Sequence, residues 1–202
     1  MKSLNRFFVL STLLILFTQG GYAAEEAAKP GMDPAVMEKM KVFTSPTEAH
    51  KTLEPFAGKW TYTGKFWMAP DAQPQEMAGI SEQTMIYGGR FLKQEIEGPW
   101  MGETFNGTDY IGYDNVKEEY VSAWIDSVGT GIMTSSGQYD AATKTLKLSG
   151  ANSCPLTGEK AREGRSEWTL TDNDHNVYTS YLAGPDGKEF KAMEINYTRA
   201  AV

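Results

Sequence analysis

Two charged residues fall on stretches whose alternation otherwise places apolar and hydroxyl side chains on one face. Asp126 ends the run Tyr120-Val121-Ser122-Ala123-Trp124-Ile125-Asp126, and Arg162 begins Arg162-Glu163-Gly164-Arg165-Ser166-Glu167-Trp168. A carboxylate or guanidinium turned into a protein interior loses hydration and needs a partner to offset it. These two are expected to pair with each other or with a polar ligand. An inward carboxylate is also the minimum for general acid–base chemistry, with Arg162 or Tyr113 placing a substrate. The segment Asp126-Ser127-Val128-Gly129-Thr130-Gly131 adds hydroxyls and N–H groups suited to a small anion.

Other chemistry finds little support. There is no Gly-x-Ser-x-Gly elbow, no phosphate-cradling Gly-x-x-x-x-Gly-Lys-Ser/Thr, no Gly-x-Gly-x-x-Gly and no His-Glu-x-x-His. The single cysteine, Cys154, excludes an internal disulfide and a cysteine metal cluster. The two histidines, His50 and His175, fall in an expected helix and an expected turn, so neither a metal site nor haem ligation is expected, and no cofactor is assigned.

The elements that must position such residues are strands. From Lys59 onward the chain alternates with period two, and turn residues such as Gly88-Gly89, Asp114-Asn115 and Pro185-Asp186-Gly187 interrupt it every 10 to 15 residues or so. Strands are expected near 59–68, 76–87, 90–97, 104–114, 119–126, 131–139, 144–150, 160–170, 175–183 and 188–199. Ten sequential antiparallel strands with tight turns imply an all-β up-and-down meander, and closure into a barrel removes the edges that would invite aggregation. Parity then gives an inward set: Trp60, Tyr62 and Phe66 on the first strand, Tyr113 on the fourth, Trp124 and Asp126 on the fifth, Arg162 and Trp168 on the eighth, and Met193, Tyr197 and Arg199 on the last. The outward set is charged, unlike the apolar outside of a membrane-spanning barrel. Trp60 on the first strand and Arg199 on the last are expected to stack as a structural cation–π pair at the closed end.

Ahead of the barrel, Asp33-Pro34 has the form of a helix start, with Asp33 as N-cap and the helix running to about Val42. Ser45 and Glu48 read as the capping box of a second short helix that presents Ala49, Leu53 and Phe56 to the barrel. Lys2 and Arg6, the apolar run Phe7–Phe17 and the small residues near Ala23 have the order of a secretory signal peptide, cleaved near Ala23 or Ala24. That apolar run is about eleven residues, too short to span a bilayer as a helix. The expected division is therefore 1–23 signal peptide, 24–57 leader and short helices, and 58–202 barrel, with the protein secreted and periplasmic. Losing residues 1–23 removes two cations and no anion, moving the net charge from −7 to −9, which speaks against nucleic acid as a partner.

Five separated blocks, Gly88-Gly89-Arg90-Phe91-Leu92, Gly112-Tyr113-Asp114-Asn115, Tyr120 through Ser127, Tyr139 through Leu146, and Gly187-Lys188-Glu189-Phe190, resemble in their order the motifs of the bacterial domain of unknown function 1579 family. The resemblance spans about Lys51 to Arg199. It implies a calycin-like, lipocalin-like barrel and no agreed activity.

An aromatic- and methionine-rich interior suits a small hydrophobic or aromatic molecule, with Tyr62, Phe66, Tyr113, Trp124, Asp126, Arg162, Trp168 and Met193 as candidate contacts. A binding or carrier function is the leading expectation, since ten strands leave a wider interior than eight. The alternatives are an enzyme built on Asp126 and a protein-interaction module without a ligand.

Overall fold

The computed structural model describes residues 31–155 and 157–201. The expected signal peptide and most of the leader lie outside the described residues. The first element is helix α1 (Pro34–Thr44), capped by Asp33, whose carboxylate accepts from the Ala35 N–H at 2.8 Å. None of its residues is buried, and Val36, Met37, Met40 and Phe43 stand exposed.

The second helix is shorter than its pattern suggested and is capped differently. Helix α2 (Glu48–Lys51) starts at Thr47, not Ser45, and the residue that reaches back is His50: the Thr47 N–H donates to His50 Nδ1 at 3.0 Å. Burial first, and then the charge of Arg90, hold the His50 pKa below its ordinary value despite a hydrogen bond at the Tyr113 backbone that raises it. A neutral imidazole is what that acceptor role requires. Glu48, expected in the capping box, instead pairs with Lys51 at the surface. A 3-10 turn, Glu54–Phe56, then carries the chain into the first strand.

Ten strands follow: β1 (Gly58–Phe66), β2 (Gln75–Ile86), β3 (Phe91–Trp100), β4 (Glu103–Asp114), β5 (Glu119–Asp126), β6 (Met133–Asp140), β7 (Thr145–Asn152), β8 (Arg162–Leu170), β9 (His175–Ala183) and β10 (Glu189–Arg199). Each pairs antiparallel with its neighbours in sequence, and β1 pairs with β10 to close the barrel. The closing register sets Trp60 opposite Arg199, Tyr62 opposite Tyr197 and Phe66 opposite Met193. One irregularity falls in β10 between Lys191 and Met193, where the extra residue, Ala192, is buried.

One end is plugged. The segment from α2 to the 3-10 turn lies across it, burying Leu53 and Phe56 against Leu92, Ile111, Tyr120, Leu146, Trp168 and Leu170. The Phe56 ring lies 4.6 Å from that of Trp168, and the Trp60 indole N–H donates to the Phe56 carbonyl at 2.9 Å. The Tyr120 hydroxyl donates to the Ala49 carbonyl, the Asn115 side chain donates to the carbonyls of Phe43 and Ser45, and Arg90 donates to the Thr44 carbonyl. The plug therefore combines an apolar underside with hydrogen bonds that satisfy its exposed backbone ends.

Arg199 locks this end. Its guanidinium lies 4.1 Å from the centre of the Trp60 ring. Its N–H groups donate to the carbonyls of Asn173, Ala57 and Pro55, and Asp174 stands 3.6 Å away. Gly58 makes that approach possible: its φ of +140 is foreign to other residues, and a Cβ there would lie 2.2 Å from Arg199 Nη1. Replacing Arg199 with Ala removes the stacking and three charge-assisted bonds, an expected loss of about 2 to 4 kcal/mol in urea unfolding. Arg199→Lys should recover less than half of it, because an ammonium cannot serve three carbonyls from over an indole. Gly58→Ala should cost ~2 kcal/mol on its own by the same measurement.

Candidate functional site

The barrel interior has two unlike halves. Towards the plug, the inward side chains Trp60, Tyr62, Leu92, Ile111, Tyr120, Leu146, Trp168, Leu170 and Tyr197 are all buried. Towards the other end, the inward positions of β5 to β9 carry small residues: Ser122, Ser135, Gly137, Gly150, Gly164, Ser166 and Ser180, with Leu148 and Leu182 among them. Ser135, Gly150, Gly164, Ser166, Ser180 and Leu182 are only half-buried although they point inward. Phe66, Trp100, Phe105, Trp124 and Met193 share that partial exposure. Inward-facing surface that stays accessible describes a cup, floored by the packed half and open towards the loops opposite the plug.

Aromatic rings form one wall of the cup by lying on glycine. A Cβ on Gly107 would sit 2.3 Å from the Trp124 ring, and one on Gly98 would sit 2.3 Å from the Tyr62 hydroxyl. Absent side chains on β3 and β4 thus let the rings lie flat against the backbone. Phe105 stacks parallel to Trp124 at 6.2 Å, with 19° between the planes. The small side chains of β6 to β9 lie on the inward faces across from this wall, with Gly137 and Gly150 too close to the neighbouring strand's backbone to carry a Cβ.

At the junction of the two halves sits Asp109 on β4, between inward-facing Gly107 and Ile111 and opposite Gln94 and Trp124 in the strand register. Both of its carboxylate oxygens face the Ser122 hydroxyl, at 2.8 and 2.9 Å. Burial pushes its pKa up to about 6, and hydrogen bonds from Ser122 and from the Ala123 and Tyr110 backbones offset only part of that. Tyr178, bonded to Ser166, is pushed up to about 12, again mainly by burial and in part by the charge of Asp109. Tyr197 is raised by burial too, against a hydrogen bond with Gln94. Beside them Gln94 and Gln83 each approach the Ser81 hydroxyl, at 3.4 and 3.5 Å, and Gln83 Oε1 is buried with no partner. The floor of the cup is therefore a polar patch set in an apolar wall.

The expected site residues separate. Phe66, Trp124 and Met193 fall in or beside the cup, while Tyr62 is buried in the packed half. Trp168 and Tyr113 belong to the plugged end, Trp168 donating its indole N–H to Asn176 and Tyr113 meeting His50 edge-on at 5.8 Å. Asp126 and Arg162 do not pair with each other. Asp126, next to the loop 127–132, accepts from the Trp124 indole and from the N–H groups of Val128 and Gly129. Burial works to raise its pKa, but the bonds from Gly129, Trp124 and Val128 outweigh it and hold it below the usual carboxylate range. Arg162 donates to the Ala183 carbonyl and reaches Cys154 Sγ at 3.5 Å, with Glu159 at 3.9 Å. Both charges are absorbed by their own loops, which is how the fold answers the desolvation that singles them out. The segment Asp126–Gly131 likewise uses two of its N–H groups on Asp126, leaving fewer for an anion.

Sequence reasoning passed over Asp109, Tyr178 and Ser166. The signal that finds Asp109 is the parity of β4, where Gly107, Asp109, Ile111 and Tyr113 share one face. Asp109 sits among Asn106, Thr108 and Asp114, so composition alone makes it one polar residue of several. Among the described residues no group of histidine, cysteine and carboxylate side chains could hold a metal ion, and no helix is long and apolar enough to cross a membrane.

This geometry defines a class: closed ten-stranded antiparallel barrels, plugged at one end by a short helical segment. Within that class the chain belongs to the family described as proteins of unknown function, DUF1579, whose model matches residues 45–199. Among solved structures it is similar to the crystal structure of Rv2717c from M. tuberculosis, at 15% identity and a TM-score of 0.59, covering 78% of this chain and 100% of that one. That likeness shows the fold alone. A redesigned β-barrel is also similar, at 12% identity, 78% and 100% coverage and a TM-score of 0.38, too distant to carry an argument. No curated protein matches the sequence.

A carboxyl whose folded pKa lies above its unfolded value binds its proton more tightly in the native state, so its cost to stability is absent at low pH. It develops as pH rises from about 3.8 through about 6 and is constant above that. Asp109→Asn should therefore be more stable than the parent at pH 7.5, by roughly 3 kcal/mol at most for a shift of this size. The difference between the two proteins should shrink steadily as pH falls from 6.5 to 4, read by urea unfolding at each pH.

Proposed function

We propose that this protein binds a small, predominantly hydrophobic or aromatic molecule inside the barrel, between the Trp124–Phe105 wall and the small side chains of β6 to β9. The observation that carries the reading is the half-buried, inward-facing set Ser135, Ser166, Ser180 and Leu182. A core packed for stability alone would fill these positions to interior density. Here the packed half already supplies the core, and the other half keeps accessible surface bounded by flat rings, the composition of ligand pockets in general. A half-buried carboxyl at the floor, its pKa raised by desolvation, is the kind of perturbed group that marks candidate functional sites.

Catalysis through Asp126 has less support, since its carboxylate is occupied by three N–H donors and its pKa is lowered, away from the range of a general base at neutral pH. We also infer that the protein acts after export, in the periplasm, on the strength of the signal-like order of Lys2, Arg6, the apolar run and Ala23. The mass of the protein recovered from its own host would show the mature N-terminus.

A thermal-shift screen of small aromatic and aliphatic compounds, followed by native mass spectrometry of the hits, tests the binding reading. Ser180→Phe places a ring in the cup from the side opposite Trp124. It is expected to keep the circular dichroism spectrum and melt within a few degrees of the parent, yet to lose the stabilisation by every hit. Retained stabilisation in that variant would move the binding site out of the barrel.

A further inference from the structure

The binding reading leaves open which polar group a ligand carries, and the floor of the cup restricts it. Asp109 is a carboxylate without a cation: among the described residues no lysine, arginine or histidine stands within ion-pair distance of it, and no positive charge contributes to its titration. Its donors are the Ser122 hydroxyl and the Ala123 and Tyr110 backbones, while a carboxylate accepts about four hydrogen bonds. Trp124, stacked on Phe105, lies opposite it in the strand register, and Tyr178 and Tyr197 lie near enough for its charge to raise them; the negative face of an aromatic ring attracts cations. Anions meet the opposite field. Arg162, the one inward cation near the open end, is already bound to the Ala183 carbonyl.

We propose, resting on the binding function above, that the ligand is an organic amine. Its protonated nitrogen would be held by Asp109 at the floor and its apolar or aromatic body would lie along the Trp124 wall. The bound ammonium supplies the positive charge that the fold withholds from Asp109 and donates to the carboxylate lone pairs that Ser122 and the Ala123 and Tyr110 backbones leave free. The desolvation that makes Asp109 costly by itself is then what makes the pair strong, because a charge pair screened from water interacts more strongly than one at the surface.

The groups facing Asp109 from the elements around it are Gln94 on β3, Ser122 and, one inward step beyond Trp124, Asp126 on β5, Tyr178 on β9 and Tyr197 on β10. The two tyrosines are raised and Asp126 is lowered, so between pH 4.5 and 7.5 Asp109 is the group among them that changes charge.

The test compares three probes of one shape by calorimetry and tryptophan fluorescence: 2-phenylethylamine, the neutral 2-phenylethanol and the anionic 3-phenylpropanoate. At pH 7.5 the amine should bind roughly 10-fold tighter than the alcohol, the worth of one charge-assisted hydrogen bond, and the acid should bind weakest. Between pH 7.5 and 5 the amine should lose about 10-fold as Asp109 takes up its proton, while the alcohol changes little. Asp109→Asn should bind alcohol and amine alike, with no such pH dependence. If that variant fails to fold, the pH series on the parent decides. Equal affinity for amine and alcohol in the parent, or amine binding unaffected by Asp109→Asn, overturns the amine assignment and leaves the binding function standing. Failure of all three probes to bind, together with an empty thermal-shift screen, overturns both.

Discussion

A meander of ten strands avoids free edges only if its first and last members pair, and that pairing is fastened at one point, where Arg199 on β10 lies over Trp60 on β1. The guanidinium does more than stack. It collects the carbonyls of Pro55 and Ala57, which belong to the plug, and of Asn173, which belongs to the β8–β9 turn. Strand closure, plug position and a neighbouring turn are thus tied by one planar group, and the Trp60 N–H bond to the Phe56 carbonyl completes the ring from the other side of the indole. An apolar contact is not directional and could not impose this register, whereas a fork of donors over an aromatic face can.

Much of the architecture was legible because period-two alternation and turn chemistry agree along the whole barrel. The ten strands expected near 59–68 through 188–199 match those observed within a few residues, and the meander closes as expected. The departures have local causes. Ser45 and Glu48 satisfy the letter of a capping box, but Thr47 and His50 satisfy it two residues later, where the imidazole can also pack against Tyr113. α2 then gives way after one turn because Pro55 removes an N–H and the plug needs the tighter 3-10 turn to bury both Leu53 and Phe56.

The site was less legible, for a reason that applies to inward charges in general. Asp126 and Arg162 stand out in the sequence because they interrupt apolar faces near strand ends, but strand ends are where loops supply backbone partners. Both residues are consumed there, Asp126 by Trp124, Val128 and Gly129, and Arg162 by Ala183. A charge in mid-strand has no loop to turn to. Asp109 lies there, and its partners are the Ser122 hydroxyl and the Ala123 and Tyr110 backbones of the strands themselves. Position along a strand, not the presence of charge, separates a structural carboxylate from an available one.

That distinction bears on why the interior is divided as it is. The plugged half holds most of the large buried residues, and the barrel end it seals carries the Arg199 clamp, so stability is concentrated away from the cup. The other half uses serine at several inward positions, and glycine at Gly137 and Gly150, where the neighbouring strand's backbone leaves no room for a Cβ. It can also hold a carboxyl that the fold would be more stable without, since a desolvated acid with pKa near 6 is a net cost at neutral pH. A protein under selection for stability alone has a cheap remedy, an amide in place of the acid. Keeping the acid makes sense where something that enters the cup offsets its desolvation. The small residues opposite Trp124 supply the room for such a molecule, and the aromatic wall laid on Gly98 and Gly107 supplies a flat surface beside the charge. In the proposed binding, shape and electrostatics would select jointly: a body thin enough to lie between ring and serine, and a head that donates to a carboxylate within ion-pair distance of no cation among the described residues.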